Sequence, residues 1–131
     1  MRSNGVIPSI VSVLISGCSA AHSATTPDSQ NPAHCIAAFN YGAYWFRLDH
    51  NDRRVRNMYV RAAYEMEKLK AKGESATGAL ADGKVLTERY ARDQDAMDRL
   101  FKACGDAQDA DPKFREVQPR LIAQLSATGA I

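Results

Sequence analysis

The chain of 131 residues has little net charge, only three cysteines and no sequence motif that identifies an enzyme. Its 17 Lys and Arg are nearly balanced by 15 Asp and Glu, which leaves a formal net charge of +2. Nucleic-acid binding requires a much more basic surface, so we expect no nucleic-acid partner. Gly-x-Ser-x-Gly and Cys-x-x-Cys-His are both absent, and with them the signals for nucleophilic hydrolysis and for haem attachment.

The patterns of metal and nucleotide sites are also lacking. The histidines, His22, His34 and His50, have no helical ligand spacing, so we expect no metal and solvent-exposed histidines instead. Residues 78–85 have the glycine and lysine spacing of a phosphate-binding loop, but Val85 occupies the position of the required hydroxyl and no strand precedes it. We interpret 74–83 as a loop between helices, with an added turn over 79–81 as the alternative. The sequence therefore predicts no enzyme and no cofactor.

The chain begins like an exported protein. Arg2 is followed by an apolar run over 6–15, which is too short to cross a bilayer, because a spanning helix needs about 20 apolar residues. The run leads into four residues that resemble the lipobox of bacterial lipoprotein signals: Ile15, Ser16, Gly17 and Cys18. This resemblance implies that 1–17 is a signal peptide and that Cys18 carries a lipid. Ser19, which follows it, implies transport to the outer membrane.

Ordinary signal-peptidase cleavage within the small residues 18–24 is the alternative, and it would release a soluble periplasmic protein. In both cases we expect the protein in the cell envelope. Residues 18–31 are small and polar and include proline, which predicts a flexible tether. The remaining residues, 32–131, are enough for one modest core, so we expect a single domain.

Three cysteines are an odd number for an oxidising compartment. A lipid on Cys18 leaves Cys35 and Cys104 to form a disulfide, and closing a loop of about 70 residues stabilises a domain by roughly 4 kcal/mol. Two buried free thiols are the alternative. We expect the disulfide.

The strong periodic patterns are all helical, and no segment predicts a strand. Four helices are predicted: 32–48 after Asn31 and Pro32, 52–72 before Gly73, 84–104 before Gly105, and a short helix after Asp111 and Pro112 that Pro119 kinks or splits. The apolar face of the first helix is wide, and we expect all of it to be buried, including Tyr41, Trp45 and Leu48.

The disulfide conflicts with a simple bundle of alternating helices. Cys35 and Cys104 would lie at opposite ends of helices about 30 Å long, whereas bonded cysteines have Cα atoms within about 7 Å. We therefore expect the first helix to cross the next two obliquely. The predicted fold is an all-α, irregular three- or four-helix bundle.

Two patterns are candidate binding surfaces. Basic residues recur every seven positions and predict a face for an anionic partner, with a solvated helix face as the alternative: Arg47, Arg54, Arg61 and Lys68. Tyr44 and Tyr64 fall off the main apolar stripes and predict an exposed aromatic groove, with core packing as the alternative.

These observations predict an interaction protein of the envelope: a periplasmic or outer-membrane-tethered subunit, inhibitor or assembly factor. Its partner is expected to be an envelope protein or an anionic envelope component. The alternative is a ligand-binding module that holds a small apolar or anionic molecule between helices. A cavity with converging arginines favours the ligand module, whereas a filled core with an exposed apolar patch favours the interaction protein.

The lipobox resemblance generates the first prediction. Cells that produce the protein and are fed a fatty-acid analogue should label the wild-type chain and fail to label Cys18→Ser, because the cysteine sulfur is the acceptor. An unlabelled wild-type protein in the soluble periplasmic fraction would contradict lipidation and favour cleavage nearer Ala21 or Ala24.

Overall fold

The structure, a computed structural model, describes residues 26–131. The predicted signal peptide, Cys18, His22 and most of the predicted tether lie outside the described residues. Within them the chain forms five helices and no strand: α1 Pro32–Leu48, α2 Asp52–Ala71, α3 Ala76–Arg89, α4 Gln94–Asp109 and α5 Pro112–Ala127. The all-α class is confirmed, but the helix count of three or four is wrong.

Three helix ends form at the capping residues that predicted them: Asn31, Gly73 and Asp111. The side chain of Asn31 accepts a hydrogen bond from the Ala33 N–H at 3.0 Å, and Pro32 occupies the first turn of α1, where its missing N–H leaves no donor unpaired. Asp111 caps α5 in the same way. Gly73 follows α2 with a φ of 76°, a left-handed conformation in which glycine has no steric penalty.

The predicted loop over 74–83 and helix over 84–104 are wrong. α3 begins at Ala76, because the Ser75 hydroxyl accepts a hydrogen bond from the Gly78 N–H at 3.1 Å. A turn over 90–93 then separates α3 from α4, and Asp93 caps α4 by accepting from the Ala96 N–H at 3.0 Å. Asp93 therefore acts as a cap, although it is three residues after Tyr90 and four before Met97, in register with a helical apolar stripe.

Two predicted helix breaks also differ from the structure. Gly105 lies inside α4, where the favourable packing of neighbouring turns outweighs its low helix propensity. α5 continues through Pro119, so the predicted split is wrong. Pro119 has no N–H group to donate to the Arg115 carbonyl. Both residues are exposed, so this carbonyl can bind water instead.

The additional turn explains how the two cysteines meet. α4 runs antiparallel to α1: Cys35 is bonded to Cys104 with their Cα atoms 5.5 Å apart, and one and a half turns later along α1 the Tyr41 hydroxyl donates to Asp98 Oδ1 at 2.8 Å. The reversal over 90–93 returns the chain to the end of the bundle where α1 begins. The predicted oblique crossing of a three-helix arrangement is therefore not needed to form the bond.

The first half of α1 is the centre of the core. All eight residues over 32–39 are buried, because α2, α3 and α4 each pack against this helix. Phe39 lies in the main cluster together with Val55 of α2, Leu86 of α3 and Leu100 of α4. Further along, Gly42 faces Phe101 so closely that a Cβ atom there would overlap the ring. The missing side chain thus brings α4 against α1.

α5 packs on the outer side of α2. The ring of Phe114 lies 5.2 Å from that of Tyr64, and the Tyr64 hydroxyl donates to Asp111 Oδ2 at 2.5 Å. This hydrogen bond lowers the pKa of Asp111, while burial, followed by the contact with Asp111, raises the pKa of Tyr64. Arg120 forms two hydrogen bonds with Glu67, at 2.7 and 2.9 Å, which lower the pKa of that carboxyl group.

The last residues of the predicted tether are fixed against α1. His34 is only 4% exposed, and its Nδ1 accepts a hydrogen bond from the Asp28 N–H at 3.1 Å. The expectation that this histidine is solvated is therefore wrong, because the turn over 28–31 folds back over it. Burial lowers the pKa of His34, so the neutral acceptor form is favoured.

The disulfide generates the second prediction. Cys35 and Cys104 are 69 residues apart in the sequence, and replacing both by alanine should lower the free energy of unfolding by about 4 kcal/mol, measured by urea denaturation. Wild-type protein kept under reducing conditions is the control and should lose a similar amount. Two free thiols in mass spectra of the non-reduced exported protein would contradict the bond.

Candidate interaction surface

A groove of about 430 Å³ runs between α1 and α3, and we call it the α1–α3 groove. Its lining consists of Ala33, Ile36, Ala37, Asn40, Tyr41 and Tyr44 on α1 and of Ala79, Leu80, Gly83, Lys84 and Thr87 on α3. Small residues form its floor. A Cβ atom on Gly83 would lie 3.3 Å from Ala37 Cβ and 3.4 Å from the Ala33 carbonyl oxygen, so glycine allows the two helices to approach closely.

Large exposed side chains at the end of α1 continue the groove from Tyr44, which lines it, to Trp45 and Leu48, which lie beyond it. Tyr44, Trp45 and Leu48, which we call the apolar ridge, are 53%, 42% and 54% exposed. The expectation that Trp45 and Leu48 are buried is wrong. Phe101 of α4 covers the side of α1 that carries Gly42 and Phe46, and the opposite side of these last turns stays open to solvent.

The ridge is held by stacking within α1. The Trp45 ring makes edge-to-face contacts with Tyr44 and Tyr41, at centroid distances of 5.5 and 6.3 Å. The Tyr41 hydroxyl is in turn fixed on Asp98, and burial together with this hydrogen bond raises the pKa of Tyr41. The ridge is therefore an ordered surface, which lowers the entropic cost of binding a partner.

The groove has few polar groups. The Thr87 hydroxyl donates to the Gly83 carbonyl at 2.8 Å, and the Lys84 ammonium group lies 3.8 Å from Glu88. Asn40 and the hydroxyl groups of Tyr41 and Tyr44 are the other polar groups among the residues that line it. Most of the lining is apolar, so this surface is suited to binding apolar groups.

Leu80 continues the same surface on α3, where it is 56% exposed. Soluble monomers seldom expose several neighbouring large apolar side chains, and such a patch usually marks an interaction site. Of the predicted aromatic groove, only Tyr44 belongs to it. Tyr64 is 5% exposed because α5 covers it through Phe114, so the pairing of Tyr44 with Tyr64 in one groove is wrong.

The predicted basic face is engaged within the chain. The Arg61 side chain is only 14% exposed and lies 2.7 Å from Asp109 Oδ1, and its second nitrogen donates to Gln108 Oε1 at 3.2 Å. The Lys68 ammonium group lies 2.9 Å from Oε2 of Glu65, a residue that is 2% exposed. Arg61 therefore donates to the buried amide of Gln108, and Lys68 neutralises the buried carboxylate of Glu65.

The other two basic residues also contact this chain. The Arg54 guanidinium group lies over the Phe46 ring, 5.2 Å from its centroid, and Arg47 donates to the Tyr59 hydroxyl. Arg47, Arg54, Arg61 and Lys68 are thus distributed over separate contacts and form no shared cluster. A role in binding an anionic partner stays a prediction for these four residues.

Sequence reasoning missed the polar pair at the interface of α2 and α4. Gln108 is 1% exposed, and its amide nitrogen donates to Glu65 Oε1 at 3.0 Å and to the Arg61 carbonyl at 2.9 Å. The position of Glu65 was the available signal, because it lies three residues after Ala62 and four before Leu69, on the buried stripe of α2.

Comparisons with protein-family models, with curated proteins and with solved structures found no match to this chain. Among residues 26–131, no helix is both long enough and apolar enough to cross a membrane. Nor does this part of the chain bring three or more His, Cys, Asp or Glu side chains together as metal ligands. The function must therefore be inferred from the surface itself.

The contacts of the basic residues generate the third prediction. Arg61→Gln should lower the free energy of unfolding by about 1 to 3 kcal/mol, because it leaves the buried Gln108 oxygen without a donor. Arg54→Gln is the control and should lower it by no more than about 0.5 to 1 kcal/mol, because Arg54 is exposed and loses only its contact with the Phe46 ring. Equal losses for the two variants in urea denaturation would contradict this assignment.

Proposed function

We propose that this chain is an exported interaction protein of the cell envelope, which binds an apolar segment of a partner protein. The observation that carries the proposal is the continuous apolar surface formed by the α1–α3 groove and the apolar ridge. A domain gains nothing in stability from exposing Tyr44, Trp45 and Leu48 to water. A binding partner that covers them would supply the missing apolar contact.

The shape of the surface favours a helix or an extended segment as the partner. The small residues of the groove floor allow a backbone to come close, and the walls of Ile36, Tyr44 and Leu80 can hold side chains spaced along one face of a helix. Trp45 and Leu48 lie beyond the groove lining. A molecule small enough to fit the groove alone would leave them exposed, whereas a longer segment would cover them.

The location is proposed from the sequence. If Cys18 carries a lipid, the seven residues between it and Thr26 limit the distance between these two residues to at most about 30 Å. The domain would then stay close to the bilayer surface, and its partner would be an outer-membrane protein or another membrane-proximal envelope protein. Without the lipid, the same surface would act in the soluble periplasm.

A second candidate function is the binding of a small apolar molecule in the α1–α3 groove. The groove volume of about 430 Å³ supports this candidate, because ligand pockets commonly measure about 300 to 1,000 Å³. Asn40 and Lys84 would then orient a polar end of the molecule. The exposed ridge favours the partner protein over this candidate.

The fourth prediction tests the surface with Tyr44→Ser combined with Leu80→Ser, one change on each side of the groove. Capture of the envelope partner by the purified exported protein should weaken roughly 30-fold or more, as expected when central apolar contacts are lost. Val85→Ser is the matched control, because Val85 is an exposed apolar residue of α3, 47% accessible and outside the groove lining, and its replacement should leave capture unchanged.

The outcome separates the two candidates. A partner that is captured equally by wild type and by the Tyr44 and Leu80 double variant would contradict the proposed surface. Loss of a small apolar molecule from the double variant, with no protein captured by the wild type, would favour the ligand-binding candidate.

A further inference from the structure

A second recess lies between the start of α2 and the outer face of α5, and we call it the α2–α5 recess. It measures about 980 Å³, and its lining includes Arg53, Arg56, Asn57 and Gln118. Arg53 and Arg56 are three residues apart on α2, so their side chains emerge from the same face of the helix. Gln118 faces them from α5. The recess therefore gathers hydrogen-bond donors from two helices.

The two arginines are free to bind a ligand. Of the six ion pairs among residues 26–131, none includes Arg53 or Arg56, and neither guanidinium group makes a cation–π contact there. This distinguishes them from Arg54 and Arg61, whose side chains contact groups of this chain. Both are exposed, so a ligand can reach them from solvent.

The amide side chains add neutral donors. Asn57 and Gln118 are half-buried, and within the described residues their side chains take part in no hydrogen bond with another group of the protein. Among the lining side chains, Arg53, Arg54 and Arg56 stand against a single acid, Asp52. The recess therefore has excess positive charge and several unused N–H donors.

We propose that the α2–α5 recess binds a phosphate group. Arg53 and Arg56 would be its main hydrogen-bond donors, and Asn57 and Gln118 would be additional donors. Guanidinium groups match phosphate oxygens because each can donate two parallel hydrogen bonds. Val60 and Ile122 line the recess beside these donors, so an apolar substituent of the phosphate can pack there. This site is separate from the α1–α3 groove and goes beyond the function proposed for it.

The phosphate can belong to free inorganic phosphate or to a phospholipid headgroup, and one experiment distinguishes the two. The full exported chain is titrated with inorganic phosphate and, in parallel, with dihexanoyl phosphatidylglycerol below its micelle concentration. NMR signals of the Asn57 and Gln118 side-chain amides and of the Arg53 and Arg56 Nε–H groups report occupancy of this recess directly. Saturable shifts with either compound support the site and identify the source.

Charge-matched variants make the test specific. Arg53→Gln combined with Arg56→Gln should weaken binding at least tenfold, since a hydrogen bond to a charged group is typically worth roughly a tenfold change in affinity or more. Arg89→Gln combined with Arg92→Gln removes two exposed arginines elsewhere and should change it less than about twofold, because such residues act only through screened long-range charge. Arg53→Lys with Arg56→Lys keeps the charge and should still weaken binding, because it removes the paired donors.

Three results would overturn the proposal. The first is the absence of saturable shifts at Asn57 and Gln118 with both compounds. The second is unchanged affinity in the Arg53 and Arg56 glutamine variant. The third is an equal loss in the Arg89 and Arg92 control, which would indicate attraction by net charge alone. Neither Tyr44 nor Leu80 is altered in any of these proteins, so the result is independent of the α1–α3 groove.

Discussion

Eight consecutive buried residues at the start of α1 impose the arrangement of the other helices. A helix that is buried on all sides must be surrounded, and α2, α3 and α4 supply the cover. The disulfide between Cys35 and Cys104 links this segment of α1 to α4. Small residues such as Ala33 and Ala37 allow α3 to approach α1 closely. In a domain of about 100 residues, this leaves little apolar material to cover the remainder of α1.

The two candidate surfaces follow from that arrangement. The last turns of α1 lie outside the enclosing helices on one side, and there the apolar ridge is exposed beside the α1–α3 groove. On α2, burial of Glu65 and Gln108 draws Lys68 and Arg61 into internal contacts. Arg53 and Arg56, nearer the start of the same helix, have no such partners among residues 26–131 and face the α2–α5 recess. Core packing thus determines which apolar and which basic side chains are exposed and available to bind another molecule.

Local signals predicted both ends of α1 and α2, the start of α5 and the cysteine pair. Asn31, Gly73 and Asp111 act through their own backbone and nearest neighbours, so their roles can be read from short stretches of sequence. The turn over 90–93 could not be found in this way, because apolar residues keep helical spacing on both sides of it and Asp93 falls in register with them. Which side of α1 is exposed, and which of the regularly spaced basic residues is paired, depends on helices distant in sequence. Periodicity alone carries no information about those contacts.

Trp45 is the single tryptophan of the chain and lies on the apolar ridge, so its fluorescence tests the account most directly. With 5-hydroxytryptophan incorporated at this position, its emission can be excited selectively and its quenching by acrylamide measured for the isolated protein and for the protein on native envelopes. We predict that acrylamide quenches the emission at position 45 readily in the isolated protein and only weakly on envelopes, where the proposed partner covers the ridge. Protection already present in the isolated protein would contradict the exposed end of α1, and equal quenching in both samples would contradict the ridge as the interaction surface.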